Sequence, residues 1–322
     1  MRYVPWDELH GQPNIIVDGY PAEGTLITLS HWVGSGSPEE IADDLSTQIA
    51  FHYLDRPALH VDAEAVSNNH FDEDGLSGIY VILSPSAALD RRAEIIDVAS
   101  AGDFGVFDSR DAARVAFALM SYADEDRSPL GGDVFAQSYT AQSGAMYEEG
   151  LAKFPEMLAH PELFRSLWET EDAWLQRDLD RVGAGEITID EQPDLDLAIV
   201  TLPEDGDAPI DSEADILGCH QGAIHNRTRM FRTLVIRGNR YIVRYRYETW
   251  VQYVSRPTMP RVDLEPLATE LSGRESSGAV WTFDGNDNLT PKLRVKGEGE
   301  SSLSPDDFVA SATEFLRRAA TA

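Results

Sequence analysis

The sequence predicts an α/β protein, in which a parallel sheet with crossover helices precedes a smaller C-terminal α+β part with antiparallel strands. Three observations lead to this prediction. Near the amino terminus a strand, a loop and a helix follow one another twice, which is the pattern of a parallel sheet. Amphipathic helical stretches occupy the middle of the chain. In the C-terminal third, short β-branched and aromatic runs alternate with turn residues, as in antiparallel hairpins.

The first strand–loop–helix unit opens with an apolar, β-branched run at residues 25–30 that ends at His31. A Gly/Ser turn follows it. Ser37 then stands as an N-cap before Pro38, a residue favoured at the first helical position. We therefore predict a strand over 25–30 and a helix that begins at Ser37 and runs to about residue 54.

The second unit repeats this order, with a strand predicted over residues 59–66 and an apolar helix from Gly75 to about residue 83. Residues 85–102 then keep helical spacing; residues 94–99 also fit a short strand, but we favour the helix. Further predicted elements are a helix over 109–122, a loop over 123–132, two helices over 144–182 broken at His160-Pro161, and a strand over 195–202.

The C-terminal third has a different pattern. Residues 231–253 are rich in strand-forming residues and are interrupted by Gly238-Asn239, which predicts an antiparallel hairpin. The remaining predicted elements are a helix over 261–271, strands over 280–283 and 293–295, and a last helix from Ser304. We place the domain boundary after residue 205, so that 1–205 forms an α/β domain and 206–322 an Arg-rich α+β domain.

Composition excludes several classes of protein. A hydrophobic content of 42% is too high for a mainly disordered chain. The single cysteine, Cys219, excludes an intrachain disulfide and a Cys-rich zinc site, and it is typical of a reducing compartment. No apolar run is long enough to span a bilayer, and residues 1–8 lack the apolar core of a signal peptide. We therefore expect a cytoplasmic protein without a membrane partner.

Charge is distributed unevenly along this acidic chain, whose net charge is −30. Between His225 and Val262 there are nine arginines and one acid, Glu248, so this region carries +8 (9 − 1) and the remainder −38 (−30 − 8). The overall charge argues against binding to double-stranded nucleic acid through a basic surface. The local excess of arginine predicts a small anionic substrate, because guanidinium groups match phosphate and carboxylate geometry.

The loop between the second strand and its helix has the composition of a metal site. His70, Asp72 and Asp74 alternate, so in an extended loop their side chains point the same way and can converge on one cation. Imidazole and carboxylate ligands suit Mn²⁺, Fe²⁺, Zn²⁺ or Mg²⁺. Asp72 and Asp74 also fit the roles of helix N-cap and first-turn acid. Two aspartates, a glutamate and a histidine exceed what capping needs, and Gly75 permits a tight turn into the helix.

The segment Val66-Ser67-Asn68-Asn69-His70-Phe71-Asp72-Glu73-Asp74-Gly75-Leu76-Ser77-Gly78 resembles the first motif of the DHH phosphoesterase superfamily. The resemblance implies that His70, Asp72 and Asp74 bind a pair of divalent cations, usually manganese, which activate water for attack on a phosphoester. Asp72 and Asp74 would then act in catalysis. The resemblance covers about a dozen residues. The chain departs from the superfamily because no Asp-His-His triplet occurs.

Two further residues are predicted metal ligands. His31 follows a strand, as His70 does, and side chains just beyond the carboxyl ends of parallel strands line one crevice. The alternative for His31 is a half-buried ring beside Trp32. Asp103, just past the predicted helix stop at Gly102, is the second; Asp97 is a solvated residue if the helix prediction holds.

We predict substrate-binding residues in the C-terminal part. They are His220, His225, Arg227, Arg244 and Arg246. The alternatives are an ordinary polar loop for the histidines, and pairing with the acidic first domain for the arginines. The expected function is a metal-dependent phosphoesterase-like hydrolase of a small or oligonucleotide phosphoester, with Mn²⁺ as cofactor and Mg²⁺ or Zn²⁺ as alternatives. A non-catalytic anion-binding protein and a single-metal hydrolase of another bond remain as alternatives.

Overall fold

The computed structural model describes residues 1–209 and 214–320. The chain forms two compact units, Met1–Asp172 with Val251–Pro257 and Ala173–Trp250 with Thr258–Ala322. The division therefore falls inside a helix at residue 172, whereas the sequence placed it after residue 205. The physical reason is that the strands between residues 188 and 202 pair within the sheet of the second unit.

The first unit is built on a four-stranded sheet in which every pair of strands is parallel. Its strands are β1 (Arg2–Tyr3), β2 (Asn14–Val17), β3 (Thr25–Leu29) and β4 (Ala65–Ser67). The order is β1-β4-β2-β3, so β2 lies between the two strands that the sequence predicted. The predicted strand over 25–30 is confirmed as β3, and the one over 59–66 contracts to the three residues of β4.

Helices make up most of the rest of this unit. They are α1 (Ser46–Leu54), α2 (Glu73–Leu83), α3 (Pro85–Asp90), α4 (Arg92–Asp103), α5 (Arg110–Ala123), α6 (Gly132–Phe135), α7 (Tyr139–Ala159) and α8 (Arg165–Ala184), the last of which continues into the second unit. Helix α4 confirms the helical interpretation of residues 94–99. The break between α7 and α8 falls at His160, after which Pro161–Phe164 form a single 3₁₀ turn.

The predicted start of α1 at Ser37 is wrong. The backbone of Pro38 is extended, and residues Glu39–Ile41 form only a single 3₁₀ turn. The Ser37 hydroxyl instead accepts a hydrogen bond from the backbone N–H of Ser30. The helix begins at Ser46, where the first free N–H groups donate to a carboxylate from another element. A local capping pattern was therefore overridden by a tertiary cap.

The second unit contains a six-stranded mixed sheet and a short hairpin. Its strands are β5 (Thr188–Gln192), β6 (Leu197–Leu202), β7 (Asp215–Ile216), β8 (Cys219–His220), β9 (Arg232–Arg237), β10 (Arg240–Tyr245), β11 (Trp281–Phe283) and β12 (Lys292–Val295). The sheet order is β11-β12-β10-β9-β6-β5; β6 and β9 are parallel and the other pairs antiparallel. The hairpin predicted around Gly238-Asn239 is confirmed as β9–β10.

The helices of this unit are α9 (Gln221–His225), α10 (Glu265–Arg274) and α11 (Pro305–Ala320). One face of the six-stranded sheet is apolar and packs against α10 and α11, with Leu234, Tyr241 and Val243 in the same cluster as Leu267 and Phe308. The predicted combination of a parallel α/β part and a C-terminal part with antiparallel strands is confirmed. Within the described residues, no helix is both long and apolar enough to cross a bilayer.

Candidate metal centre

Polar side chains follow three neighbouring strands of the parallel sheet at the points where the strands end. Asp18 follows β2, His31 comes two residues after β3, and His70 three residues after β4. Because β2 lies between the other two strands, Asp18 stands at the centre of this edge. Carboxyl ends of adjacent parallel strands are the usual position of ligand sites in open α/β sheets.

The carboxylate of Asp18 contacts both histidines. Its Oδ1 lies 3.3 Å from Nε2 of His31, and its Oδ2 lies 3.2 Å from Nε2 of His70. The hydroxyl of Ser46 also donates to Oδ1 at 2.7 Å. Asp18 is buried and has a φ of 52°, a left-handed conformation that few residues other than glycine adopt. Aspartate adopts this conformation more often than most residues do, and here its carboxylate lies between the two rings.

Each histidine is oriented by its other ring nitrogen. Nδ1 of His31 lies 2.6 Å from the backbone carbonyl of Asp44, and Nδ1 of His70 lies 3.0 Å from Oδ1 of Asn69. The His70 ring also stacks on Trp32, with the ring centres 5.1 Å apart. A carbonyl oxygen can only accept, so Nδ1 of His31 carries a proton. Metal-binding histidines are commonly held in this way, with Nε2 directed at the ion.

Two groups of ligand atoms result, and they share Asp18. One group contains Asp18, His70 and Asp72, and the other contains Asp18, His31 and Asp74. Nε2 of His70 lies 2.9 Å from Oδ2 of Asp72, and Nε2 of His31 lies 3.9 Å from Oδ2 of Asp74. Ligands about 2.1 Å from a cation and at right angles to each other are about 3 Å apart, so this spacing is compatible with a metal ion. A buried Asp/His/Asp group therefore can hold a metal ion.

Asp72 and Asp74 each cap a helix as well. Asp72 is the N-cap of α2, and its Oδ1 accepts the backbone N–H of Gly75 at 2.8 Å. Asp74 accepts the N–H groups of Ser46 and Thr47, at 2.7 and 2.8 Å, and so caps α1. Capping and ligation, which the sequence offered as alternatives, are thus compatible. The hydrogen bonds hold each carboxylate in position beside a histidine.

Gly75 has a different role from the predicted tight turn. It lies inside α2 and is not among the glycines with positive φ. A Cβ atom at this position would lie 2.4 Å from the hydroxyl of Tyr147 and 2.5 Å from Nδ2 of Asn68. Glycine is therefore required because the side chains below the site approach the helix backbone closely.

The buried carboxylates differ in their protonation. Burial alone would raise the pKa of Asp18, but its interactions with His31 and His70 outweigh this and hold the pKa well below the ordinary value. Burial, together with the charge of Asp18, raises the pKa of Asp74 to about 7. Crowding of acids in a buried site therefore stores repulsion that a cation would relieve.

Asp103 joins the same cluster. Its Oδ2 lies 3.5 Å from Nε2 of His31 and, among the described residues, has no hydrogen-bond partner. Burial, followed by the charges of Asp74 and Asp72, raises the pKa of Asp103 well above its ordinary value. Asp97, by contrast, accepts the N–H groups of Asp108 and Ser109 ahead of α5. Asp103 is therefore the better placed of the two, as expected.

The histidines respond in the opposite direction. Burial alone would lower the pKa of His31, but Asp18 and Asp74 raise it above the ordinary value. The same balance applies to His70, whose pKa is raised well above the ordinary value by Asp72 and Asp18. The neighbouring carboxylates thus stabilise positive charge at this edge of the sheet, whether it is carried by a proton or by a metal ion.

The prediction that His31 and His70 share one crevice is confirmed, since both rings contact Asp18. Asp18 was not predicted from the sequence as a metal ligand. The signal for it was present, because Ile15-Ile16-Val17 is an apolar β-branched run followed by Asp18-Gly19. That is the order of strand and polar residue that identified the two histidines.

The residues predicted to bind substrate lie in the second unit. His220 caps α9 by accepting the N–H of Gly222 on Nδ1, and His225 ends the same helix. Arg227 is exposed, and Arg244 donates to Oε1 of Gln221 at 3.3 Å. These placements leave their predicted role open to test.

Arg246 has a different environment. It is 2% exposed, and its guanidinium donates twice to the equally buried carboxylate of Glu248 and once to the carbonyl of Thr228. Its charge is already compensated within the fold, which gives it a structural role.

Comparison with known proteins adds the family of the chain. No curated protein and no solved structure matches it significantly. One family model does match, and it covers residues 1–322. The chain therefore belongs to DUF6687, a family of unknown function.

Proposed function

We propose that this protein is a metal-dependent phosphoesterase-like hydrolase that holds two divalent cations on either side of Asp18. Its substrate would be a small or oligonucleotide phosphoester. The observation that carries the proposal is the position of the Asp18 carboxylate, with one oxygen beside Nε2 of His31 and the other beside Nε2 of His70. Two-metal hydrolases hold two cations about 3.5–4 Å apart, and a carboxylate shared between two ligand groups would keep two cations close together.

The residues of the chain have separate tasks in this proposal. Asp18 would contribute to both positions, His70 and Asp72 would complete one, and His31 and Asp74 would complete the other. Asp103 extends the second group from the side of α4. When bound, the cations would lower the pKa of water and withdraw charge from a phosphoryl oxygen. The caps on α1 and α2 hold Asp74 and Asp72 still, which limits the reorganisation that metal binding needs.

The resemblance of residues 66–78 to the DHH phosphoesterase superfamily supports this reaction class and favours Mn²⁺ over Mg²⁺ or Zn²⁺. The superfamily's Asp-His-His triplet has no counterpart in the chain. Asp18 and His31 offer a second ligand set that comes from outside the resembling segment. The missing triplet is therefore compatible with two metal positions.

The second unit would supply contacts to the anionic substrate. Arg227 and Arg244 carry charges suited to a phosphate, and His220 and His225 lie nearby at the two ends of α9. Arg246 is no longer part of this proposal because Glu248 compensates its charge.

The proposal is tested by metal content and hydrolysis in the same preparation. Untagged protein is purified without chelator, its bound metals are counted, and a generic phosphodiester and short oligonucleotides are assayed with added Mn²⁺. We expect two metal ions per chain and hydrolysis of at least one substrate. Asp72→Asn and Asp74→Asn should each lose activity. Asp97→Asn is the matched control, since Asp97 also accepts two backbone N–H groups but lies outside the cluster.

The other outcomes favour the alternatives. One metal ion with hydrolysis of another kind of bond would indicate a single-metal hydrolase. Metal binding without hydrolysis of any phosphoester would reject the phosphoesterase and favour a binding protein. Protein that binds no divalent cation, with Asp72→Asn and Asp74→Asn affecting only stability, would leave the two aspartates as helix caps alone.

A further inference from the structure

We propose that the second unit carries a separate anion site that binds a phosphate group, formed by Arg237, Arg240 and Lys292 on the polar face of the β9–β10–β12 sheet. This site is formed within the second unit, and it does not rest on the hydrolase proposed above. Three features point to this site: the strand register, the lack of ion-pair partners for these cations within the described residues, and the cavity that they line.

The register places like charges opposite each other. Arg237 of β9 faces Arg240 of β10, and Arg244 of β10 faces Lys292 of β12. Side chains point alternately to the two faces of a sheet, so these four cations lie on one face. Tyr241 and every second residue after it on β10 point to the other face and belong to the apolar core. Like charges directly opposite each other destabilise a sheet, so the pairing of Arg237 with Arg240 calls for a compensating anion.

Arg237 provides the most direct evidence. It is only 3% exposed, and its Nε and Nη1 are buried with no hydrogen-bond partner among the described residues. Leaving a buried donor unsatisfied costs about 1–3 kcal/mol, and more for a charged group. Burial lowers the pKa of Arg237, and the nearby charge of Arg240 adds to this effect. A guanidinium in this state is poised to bind an anion.

The other two cations also lack acidic partners. Neither Arg240 nor Lys292 forms an ion pair within residues 1–209 and 214–320, although the chain has 56 acidic residues and a net charge of −30. Burial lowers the pKa of Lys292, and Arg244 and Arg294 lower it further. In contrast, Arg294 on the same strand is paired with Asp284 at 2.8 Å. Arg237, Arg240 and Lys292, which form no ion pair within the described residues, therefore lie in one patch.

A cavity of about 300 Å³ lies over this patch, and Arg237, Arg240 and Lys292 all line it. Leu217 and Gly218, in the turn between β7 and β8, form part of its wall. A Cβ atom at Gly218 would lie 2.6 Å from Nη1 of Arg237, so glycine leaves room for the guanidinium. Leu217 has a φ of 52°, a strained conformation for a leucine, and such strain is concentrated at ligand sites.

Phosphate fits this site better than a single carboxylate does. Two guanidinium groups and one ammonium group offer donors from several directions and three positive charges, which the carboxylates of Asp207 and Asp215 in the same lining offset only in part. A phosphate group carries about −1.5 to −2 charges at neutral pH and presents three acceptor oxygens or more. The cavity is larger than one phosphate ion. It can therefore take either inorganic phosphate or the phosphate group of a small phosphorylated molecule, because both offer the same charge and acceptor oxygens.

The test is a titration of the metal-free protein with inorganic phosphate. EDTA is present so that the metal centre takes no part, and chloride keeps the ionic strength constant. We expect one phosphate to bind per chain by calorimetry and to raise the melting temperature. Arg237→Gln and Arg240→Gln should each weaken binding at least tenfold. Arg165→Gln is the matched control, because it removes the same charge from an exposed arginine of the first unit.

The result can overturn the proposal without bearing on the hydrolase. Absence of phosphate binding in the parent protein, or equal binding by Arg240→Gln, would reject the site. Arg240 is only partly buried, so its variant keeps the test decisive if Arg237→Gln fails to fold. A titration with a phosphate monoester such as glycerol phosphate then identifies the source: tighter binding than inorganic phosphate indicates a phosphorylated small molecule.

Discussion

The two units bury charge of opposite sign and in different states of compensation. In the first unit, four carboxylates gather around two histidines at the end of a parallel sheet. In the second, cations are arranged across antiparallel strands. One of them, Arg246, is paired with a buried acid, whereas Arg237 forms no ion pair within the described residues. In an ion pair, the attraction between the two charges offsets the cost of removing them from water. In a cluster of like charges nothing offsets that cost, so such a cluster indicates a ligand of the opposite sign.

The largest expected effect tests the shared carboxylate of the first unit. Asp18→Asn should weaken Mn²⁺ binding by more than about 100-fold, since residues that merely support metal ligands already change affinity by 10–100-fold. The measurement is a Mn²⁺ titration followed by calorimetry or electron paramagnetic resonance. Asp97→Asn serves as the control and should bind Mn²⁺ as the parent does. Unchanged affinity in Asp18→Asn would remove Asp18 from the metal centre.

The contrast between paired and unpaired cations predicts a difference in stability within the second unit. Arg246→Met leaves Glu248 buried without its partner and should destabilise the protein by about 3–5 kcal/mol. Arg240→Gln removes a cation that has no acidic partner in the described ranges, and it should change stability by less than about 0.5 kcal/mol without phosphate. Urea unfolding measures both. Similar losses of stability in the two variants would contradict the idea that the ion pair with Glu248 makes Arg246 more important for stability than Arg240.

Packing beneath the metal centre gives a smaller effect. Gly75→Ala places a methyl group 2.4 Å from the hydroxyl of Tyr147 and should cost about 1–3 kcal/mol through overpacking. Gly183→Ala is the control, because Gly183 lies in α8 with no atom within 4 Å of a Cβ there. That change should instead stabilise the protein by about 0.5–1 kcal/mol. Thermal unfolding measures both variants. If Gly75→Ala raised the melting temperature as Gly183→Ala does, the result would contradict the close approach at Gly75.

The smallest expected effect concerns Glu275, whose carboxylate accepts several hydrogen bonds, in contrast to the crowded carboxylates of the metal centre. Burial alone would raise the pKa of Glu275, but hydrogen bonds from Ser301, Ser302 and Trp281 lower it to about 2. Because the folded-state pKa is depressed, the stabilisation is complete above the ordinary value of 4.5 and is lost as pH falls from 4.5 towards 2. Glu275→Gln should show a weaker loss of stability in this interval. Melting temperatures measured from pH 5 to pH 3 would contradict this if the parent and the variant fell in parallel.

Much of the fold follows from patterns within short segments. The strand that precedes His31, the helix after the His70 loop and the β9–β10 hairpin each depend on local periodicity and turn residues, and the structure confirms them. The start of α1 depends on a distant group instead. Ser37 and Pro38 form a good local start signal, but the N–H groups that needed a cap found one on Asp74. Local patterns do not contain that information.

The candidate site divides in the same way. The sequence by itself determined that His31, His70, Asp72 and Asp74 follow strands or begin a helix, because residue order fixes where strands end. Only the tertiary structure decided that β2 lies between β3 and β4, and hence that Asp18 joins the two histidines. Strand order depends on how whole elements pack. β2 is only four residues long, and the local spacing of its residues does not indicate that it lies at the centre.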